Sequence, residues 1–399
     1  MSPEPGDPRS AGTQEGARRS RTTLMVVAGE ASGDLHGAEI LRELKAREPG
    51  LRILGIGGAG MAPYLDRQLA DVSDLSVMGL VEVLRHLPAL RRIFRETVAA
   101  AVEEDIAAAL FIDYPGFNFR LAKELRRRLP AVRLHHYVCP QVWAWKKGRI
   151  PKLGRTLDVQ YCLFPFEPAL FAGLPVEAVW VGHPLVEVVR PEVDRPTFLA
   201  EAGLDPGRRC VALLPGSRRG EVSRLLPVMA ELVRRWEGDP ARERVQWLLP
   251  AAATLEDGFL AGFLGDLPVH RIRHRTYAAL AAADAALVAS GTATLECALI
   301  GTPLAALYRF HPFTYLVAKA VVTVKHFSLP NIVAGREIIP ERVQGQVTPE
   351  NLADTLASLL DPGPAQRMRS DLAELRGSLG KPGAAARVAV HLLEGLGRT

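Results

Sequence analysis

Ser290-Gly-Thr-Ala-Thr-Leu-Glu-Cys-Ala-Leu299, together with the run Asp284-Ala-Ala-Leu-Val-Ala289 that leads into it, decides the fold class. The leading run is apolar and of strand length. Gly291 supplies a tight turn, and Thr292, Thr294 and Glu296 open a helix with capping chemistry. A strand, a glycine turn and a helix start leave backbone N–H groups unpaired at the positive end of a helix dipole, which suits a diphosphate. Glu296, about one turn into the helix, could take the two hydroxyls of a ribose. An ordinary strand-to-helix turn can carry the same residues, so the flanking sequence decides between the two.

Working outward, the same grammar repeats. Cys210-Val-Ala-Leu-Leu-Pro-Gly-Ser-Arg-Arg-Gly-Glu221 reads as a strand, a sharp turn and a helix start, with Arg218 beside the turn to pair with phosphate. Further strands are expected at 245–249 and 304–307. Lys325-His-Phe-Ser-Leu-Pro-Asn331 is a loop whose Asn331 could reach a nucleotide, and the chain is helical by pattern from Pro349 onward. Upstream, 22–28, 51–55, 108–112, 132–138, 159–164 and 178–181 read as buried strands alternating with helical patterns, which predicts a parallel sheet with helices on both faces. Two such α/β domains facing a cleft describe the GT-B arrangement. Val181-Gly-His-Pro-Leu185 closes the first run of strands, and the Pro- and charge-rich stretch 190–208 follows it. The expected division is a disordered tail over 1–21, domains over 22–187 and 188–365, and C-terminal helices over 366–399. A return of those helices to the first domain is left open.

Ligands gather at the carboxyl ends of parallel strands, and three loops there carry polar residues. Gly29-Glu-Ala-Ser-Gly-Asp-Leu-His-Gly37 offers Glu30, Ser32 and Asp34 to sugar hydroxyls, or Ser32 and Asp34 as helix caps. Gly55-Ile-Gly-Gly-Ala-Gly60 matches the dinucleotide fingerprint, but it follows the second strand and Pro63 leaves little room for a helix, so nicotinamide and flavin are not expected. In Phe111-Ile-Asp-Tyr-Pro-Gly-Phe-Asn118, Asp113 ends a buried strand among aromatics, where a general base belongs and where a turn-forming aspartate also fits.

Residues 77–98 form a helical pattern with Leu80, Leu84 and Leu87 near one side and Arg91, Arg92 and Arg95 supplying charge. This suits an anionic membrane surface, or a helix that faces its own core. Lys146, Lys147, Arg149, Lys152 and Arg155 make a second basic run, after Trp143 and Trp145, which are core or site wall. A formal charge of +5 suits an anionic ligand or surface and gives no indication of nucleic acid. The four cysteines are scattered without a C-x-x-C pair, which points to reduced thiols in a reducing compartment. No apolar run after the N-terminal arginines reads as a signal peptide, and no D-x-D pair, HExxH or Cys/His cluster is present to hold a metal.

The motifs 29–34, 77–83, 112–118, 140–146, 181–184, 214–218, 290–296 and 328–331 together resemble the lipid-A-disaccharide synthases. The last three alone would indicate only a GT-B transferase. The resemblance implies inverting transfer of 2,3-diacylglucosamine from its UDP derivative to 2,3-diacylglucosamine 1-phosphate (lipid X). The products are a β-1,6-linked disaccharide 1-phosphate, on the path to lipid A, and UDP. By the same resemblance Asp113 is the base and Glu30, Ser32, Asp34 and Asn118 lie on the acceptor side. Gly216, Ser217, Arg218, Gly291, Thr292, Glu296, Asn331 and Gln344 would serve UDP. No metal or other cofactor is implied. The expected place is the cytoplasmic face of the inner membrane, held peripherally at an anionic surface, with a homo-oligomer left open. Gly116 departs from the family, where many relatives carry an acid; this leaves Asp113 without a competing neighbour in its turn. A GT-B UDP-sugar epimerase and a non-catalytic UDP-sugar-binding protein are the alternatives.

Overall fold

The computed structural model describes residues 22–75, 80–140, 147–310 and 325–398, the side chains of 80–86 and 147 excepted. The described strands form two parallel sheets. The first contains β1 (Thr23–Ala28), β2 (Arg52–Ile56), β3 (Arg67–Ala70), β4 (Ala108–Ile112), β5 (Arg133–Tyr137), β6 (Val159–Cys162) and β7 (Glu177–Trp180), in the order β3-β2-β1-β4-β5-β6-β7. The second contains β8 (Cys210–Leu214), β9 (Gln246–Pro250), β10 (Val269–Ile272), β11 (Ala285–Ala289), β12 (Leu304–Tyr308) and β13 (Glu341–Val343), in the order β10-β9-β8-β11-β12-β13. Up to their sixth strands the two orders are the same winding.

The central strands are the ones with unbroken apolar runs. Every residue of β1, β4, β8 and β11 is buried, as a strand with helices on both faces requires. In the second sheet Ala286, Val288 and Leu304 pack on one face, against Leu295 of the helix Thr292–Ile300, and Val211, Leu213, Leu287 and Leu307 on the other. The strands absent from the sequence reading, β3, β10 and β13, all stand at sheet edges and are half exposed. An edge strand buries too little to show an apolar run. β7, read as buried, is also an edge strand and is exposed at both ends. β6 stops at Cys162 rather than Phe164, because the N–H groups of Leu163 and Phe164 turn to the buried carboxylate of Glu167 (2.9 and 3.0 Å).

The chain forms two compact units, Met1–Leu134 with Ala389–Thr399, and His135–Val388. In the first, Arg133 donates to the Gly395 carbonyl (3.2 Å) and Arg398 pairs with Glu48 (3.2 Å). In the second, the turn at His183 is held from two sides. Its N–H donates to the Leu379 carbonyl (3.0 Å) and its Nδ1 accepts from Leu185 N (3.2 Å). The Pro- and charge-rich stretch 190–208 contains the helix Arg195–Glu201, capped by Asp194, whose carboxylate accepts from Thr197 N (2.9 Å). No described helix is long and apolar enough to cross a membrane.

Candidate active site

In the first unit the register of β1 and β4 pairs Ala28 with Ile112, so the loops that begin at Gly29 and Asp113 leave the sheet side by side. Asp113 and Tyr114 both take the left-handed conformation (φ 47° and 45°), an unusual pair of adjacent non-glycine residues. Asn118 supports this bend: its buried Nδ2 donates to the carbonyls of Asp113 (2.7 Å) and Ile112 (3.3 Å). The amide expected to meet acceptor therefore faces backbone instead. The Tyr114 ring lies across Gly29, where a Cβ would stand 2.2 Å from it, and its hydroxyl donates to the Leu75 carbonyl (2.9 Å). Phe117 meets Phe94 edge-on at 5.7 Å. In these surroundings burial, and then the charge of Glu30, push the Asp113 carboxyl above the usual carboxylate range.

Glu30 and Ser32 are exposed at the start of the helix Ala31–Arg47. Asp34, in the first turn of the same helix, is not. Its carboxylate accepts from Gly58 N (2.6 Å), Gly60 N (2.9 Å) and Met61 N (3.1 Å). Side chains at 58 or 60 would come within 3 Å of that carboxylate. The glycine-rich loop is thus an anion-binding nest filled by the protein's own aspartate. A three-residue 3-10 turn, Ala62–Tyr64, follows it where a dinucleotide site would need a helix. Asp34, expected to hold sugar hydroxyls, ties the acceptor-side loop to the end of β2.

In the second unit β8 and β11 are neighbours, with Leu214 opposite Val288, so the turns at 215–218 and 290–292 adjoin. Gly291 leads into the helix Thr292–Ile300 with nothing within 4 Å of its would-be Cβ, and both Gly291 and Thr292 are exposed. Thr294 N donates to the Gly291 carbonyl (3.1 Å), while the N–H groups of Thr292 and Ala293 precede any intrahelical acceptor. Gly216 (φ 114°) and exposed Ser217 lead to Arg218, which begins the helix Arg219–Gly238. Its exposed guanidinium lies 3.7 Å from Glu221, which also reaches back under Gly216. Sequence reasoning passed over Glu221, although an acid three residues past a helix start is a capping signal. Glu296 is largely buried and accepts from the Tyr277 hydroxyl (3.2 Å); burial raises its carboxyl above the ordinary range. Tyr277 carried no local sequence signal, since its partner lies in another helix.

Asn331 differs from expectation. Its side chain is wholly buried, with Oδ1 accepting from Ile338 N (2.8 Å) and Ile339 N (3.0 Å) and Nδ2 donating to Ile339 O and Glu341 (both 2.9 Å). A direct nucleotide contact by this amide would cost those bonds. Gln344 likewise holds backbone, accepting from Phe310 N (2.6 Å).

On the helix Leu80–Glu103 the later half faces inward through Ile93, Thr97 and Ala101, while Arg91, Arg92 and Arg95 are exposed and Leu87 is half buried. The side chains of Leu80 and Leu84 lie outside the described residues, as do Trp143 and Trp145. Of the second basic run, Arg149, Lys152 and Arg155 are exposed. Among the described residues no cluster of three or more His, Cys, Asp or Glu side chains could hold a metal ion.

Residues 24–387 match the family model described as lipid-A-disaccharide synthetase. The chain belongs to the lipid-A-disaccharide synthase family. It is 42% identical over 383 residues to the lipid-A-disaccharide synthase of Geobacter sulfurreducens, covering 94% of this chain and 97% of that protein. With the enzyme of the same name from Myxococcus xanthus it shares 41% over 376 residues (93% and 97%). Among solved structures, UDP-GlcNAc 2-epimerase from Neisseria meningitidis bound to UDP-GlcNAc superposes with a TM-score of 0.60 at 10% identity (94% and 100% covered). The calicheamicin glycosyltransferase CalG4 does so with 0.57 at 16% (96% and 99%). These likenesses give the GT-B fold; the family gives the activity, formation of the lipid A disaccharide by a glycosyltransferase.

Proposed function

We propose that this synthase transfers 2,3-diacylglucosamine from UDP-2,3-diacylglucosamine to 2,3-diacylglucosamine 1-phosphate, with inversion at the anomeric carbon. The observation that carries the mechanism is Asp113, held in a left-handed bend at the end of β4 with its carboxyl raised by burial and by Glu30. A base whose pKa lies closer to the working pH transfers protons more effectively. Asp113 takes the proton of the acceptor's 6-hydroxyl, and that oxygen forms a bond to the anomeric carbon. The carbon–oxygen bond to the diphosphate breaks, and UDP leaves with the electron pair. Arg218 and the N–H groups of the 291–293 turn neutralise the charge on the diphosphate, and Glu296 accepts from the ribose. Glu30 and Ser32 meet the acceptor sugar.

Both substrates are acylated and reside in a bilayer leaflet, so we assign docking on the anionic cytoplasmic face of the inner membrane to the helix Leu80–Glu103, with Arg91, Arg92 and Arg95 at the headgroups. Each basic residue near such a surface contributes about 1 kcal/mol. Reversing all three to Glu is expected to release the protein from anionic vesicles, and wild-type sedimentation by the variant would move docking elsewhere.

Incubation with both acylated sugars tests the reaction: the expected products are the disaccharide 1-phosphate and UDP. A 2-epimerised UDP-sugar without disaccharide would select the epimerase reading, which rests on fold likeness alone. UDP-sugar binding with no turnover would select the non-catalytic one.

A further inference from the structure

Glu341 occupies a place that neither the motifs nor the reaction explain. It stands on edge strand β13, and its carboxylate accepts from Phe327 N (3.0 Å), Ser328 N (2.9 Å), Ser328 Oγ (2.7 Å) and Asn331 Nδ2 (2.9 Å). All four reach Oε1, and Phe327 N also reaches Oε2, so the carboxylate gathers them around one charged acceptor. The loop so gathered does not end there. The Phe327 carbonyl accepts from Ser290 Oγ (3.2 Å), and Ser290 opens the turn whose N–H groups are proposed to take the diphosphate. Ser290 N in turn donates to Leu307 of β12 (2.8 Å), and β12 pairs with β13 through Ala306 opposite Glu341. The bonds therefore close a ring from Glu341 through the 327–328 backbone and Ser290 and back across two strands.

We infer that Glu341 is a positioning residue for the donor site: it fixes the 327–331 loop against Ser290 and thereby sets the turn at Gly291 and Thr292 that receives UDP. This rests on the donor-site reading above, which it deepens. It also gives Asn331 a role consistent with its buried, fully bonded amide. Asn331 fixes the loop together with Glu341 and need not touch the nucleotide.

Five proteins decide it: wild type, Glu341→Gln, Glu341→Asp, Ser290→Ala and the double variant of Glu341→Gln with Ser290→Ala. UDP affinity, kcat at saturating donor and thermal midpoint are measured for each. Glutamine keeps the size and an acceptor at Oε1 but removes the charge and sets an N–H against Phe327 N, so UDP binding is expected to weaken about tenfold or more, the usual effect of losing a charge-assisted hydrogen bond. kcat at saturating donor should change little, and Glu341→Asp, which keeps the charge, should recover part of the loss. Because both single changes cut the same ring, the double variant should bind no worse than the weaker single one. Losses that multiply, or a folded Glu341→Gln that binds UDP within about twofold of wild type, a factor below the usual worth of such a bond, would overturn the proposal. If Glu341→Gln does not fold, Ser328→Ala removes a single donor from the same carboxylate, and unchanged UDP affinity in that variant overturns it equally. A wild-type protein that fails to bind UDP would instead sink the donor-site reading itself.

Discussion

The turn after β4 and the turn after β11 occupy the same place in two sheets wound in the same order, yet they are built for opposite charges. After β4 the chain bends through two left-handed non-glycine residues and presents a carboxylate, Asp113, in partly apolar surroundings. After β11 it passes through Gly291 straight into a helix, presenting the first N–H groups of that helix with no side chain at Gly291 itself. One turn holds a poorly solvated carboxylate, the proton acceptor of the proposed mechanism. The other offers positive dipole ends to an anion. The supporting ties follow a similar plan: the segment that leaves the first strand of each sheet is bound to the loop after the next strand outward. Asp34 enters the nest at 58–61 in one unit, and Thr254 Oγ1 donates to the Ser217 carbonyl (2.9 Å) in the other. A common winding thus fixes where chemistry can occur, and the residues placed at the strand end choose its sign.

If that division holds, removing the base and removing the ribose acceptor must damage different constants. Asp113→Asn should lower kcat by roughly 10²–10⁴, the usual worth of a general base, while UDP affinity stays at wild type. The same change should raise the thermal midpoint at neutral pH. A carboxyl whose folded pKa is raised adds stability only when protonated, and loses it as pH rises through the folded value. Asparagine carries no such penalty and tolerates the left-handed bend better than most residues. The stability gain should therefore shrink as pH falls and Asp113 protonates. A variant both active and unchanged in stability would remove Asp113 from the site.

Glu296→Ala acts on the other side. UDP should bind about 10–100-fold more weakly, equivalent to about 1.5–3 kcal/mol for a charged hydrogen bond. Unchanged affinity in a folded variant would place the ribose elsewhere. In pH, both carboxylates must be ionised to function and burial raises both. kcat and UDP affinity should therefore each begin to fall, on acidification, at a higher pH than an ordinary carboxylate would give. The falling limb of kcat should vanish from the residual activity of Asp113→Asn, and the acid loss of UDP binding from Glu296→Ala. A limb that survives its own substitution belongs to another group.

The sequence showed most clearly what lies at the centre of each sheet. β1, β4, β8 and β11 are continuous apolar runs because both faces are covered, and Asp113 and Gly291 stand out because a polar or turn residue ends such a run. Edge strands such as β13 bury little and left no pattern, so Glu341, which organises a loop from that edge, was not found. Asn331, Asn118 and Asp34 were recognisable as residues that matter, but their direction was not. Whether a polar side chain faces a ligand or its own backbone depends on partners distant in sequence: Ile338 and Ile339, the end of β4, and the glycines at 58 and 60. A motif names such residues without showing which way they point.

Asp34 gives the finest test of the comparison, because it is an aspartate of the same unit with the reverse role. Its carboxylate satisfies three backbone donors, the buried Gly58 and Met61 N–H on one oxygen and the half-buried Gly60 N–H on the other. Asparagine can keep the bonds from Gly58 and Met61 but sets an N–H against that of Gly60. Leaving a buried donor unpaired costs about 1–3 kcal/mol, and the half-buried Gly60 N–H falls at the lower end. Asp34→Asn should therefore lower the thermal midpoint, where Asp113→Asn raises it. Its activity should fall only a few-fold, mostly through a higher KM for the acceptor as the loop at Glu30 and Ser32 loses its anchor, and UDP affinity should not move. The informative pair of measurements is the melt and the turnover of these two variants together. If Asp34→Asn melts like wild type while its kcat collapses and Asp113→Asn still turns over, the nest is not what Asp34 is for. The proton-accepting carboxylate would then be Asp34, in the first turn of the helix after β1, and the bend at Asp113 would be structural.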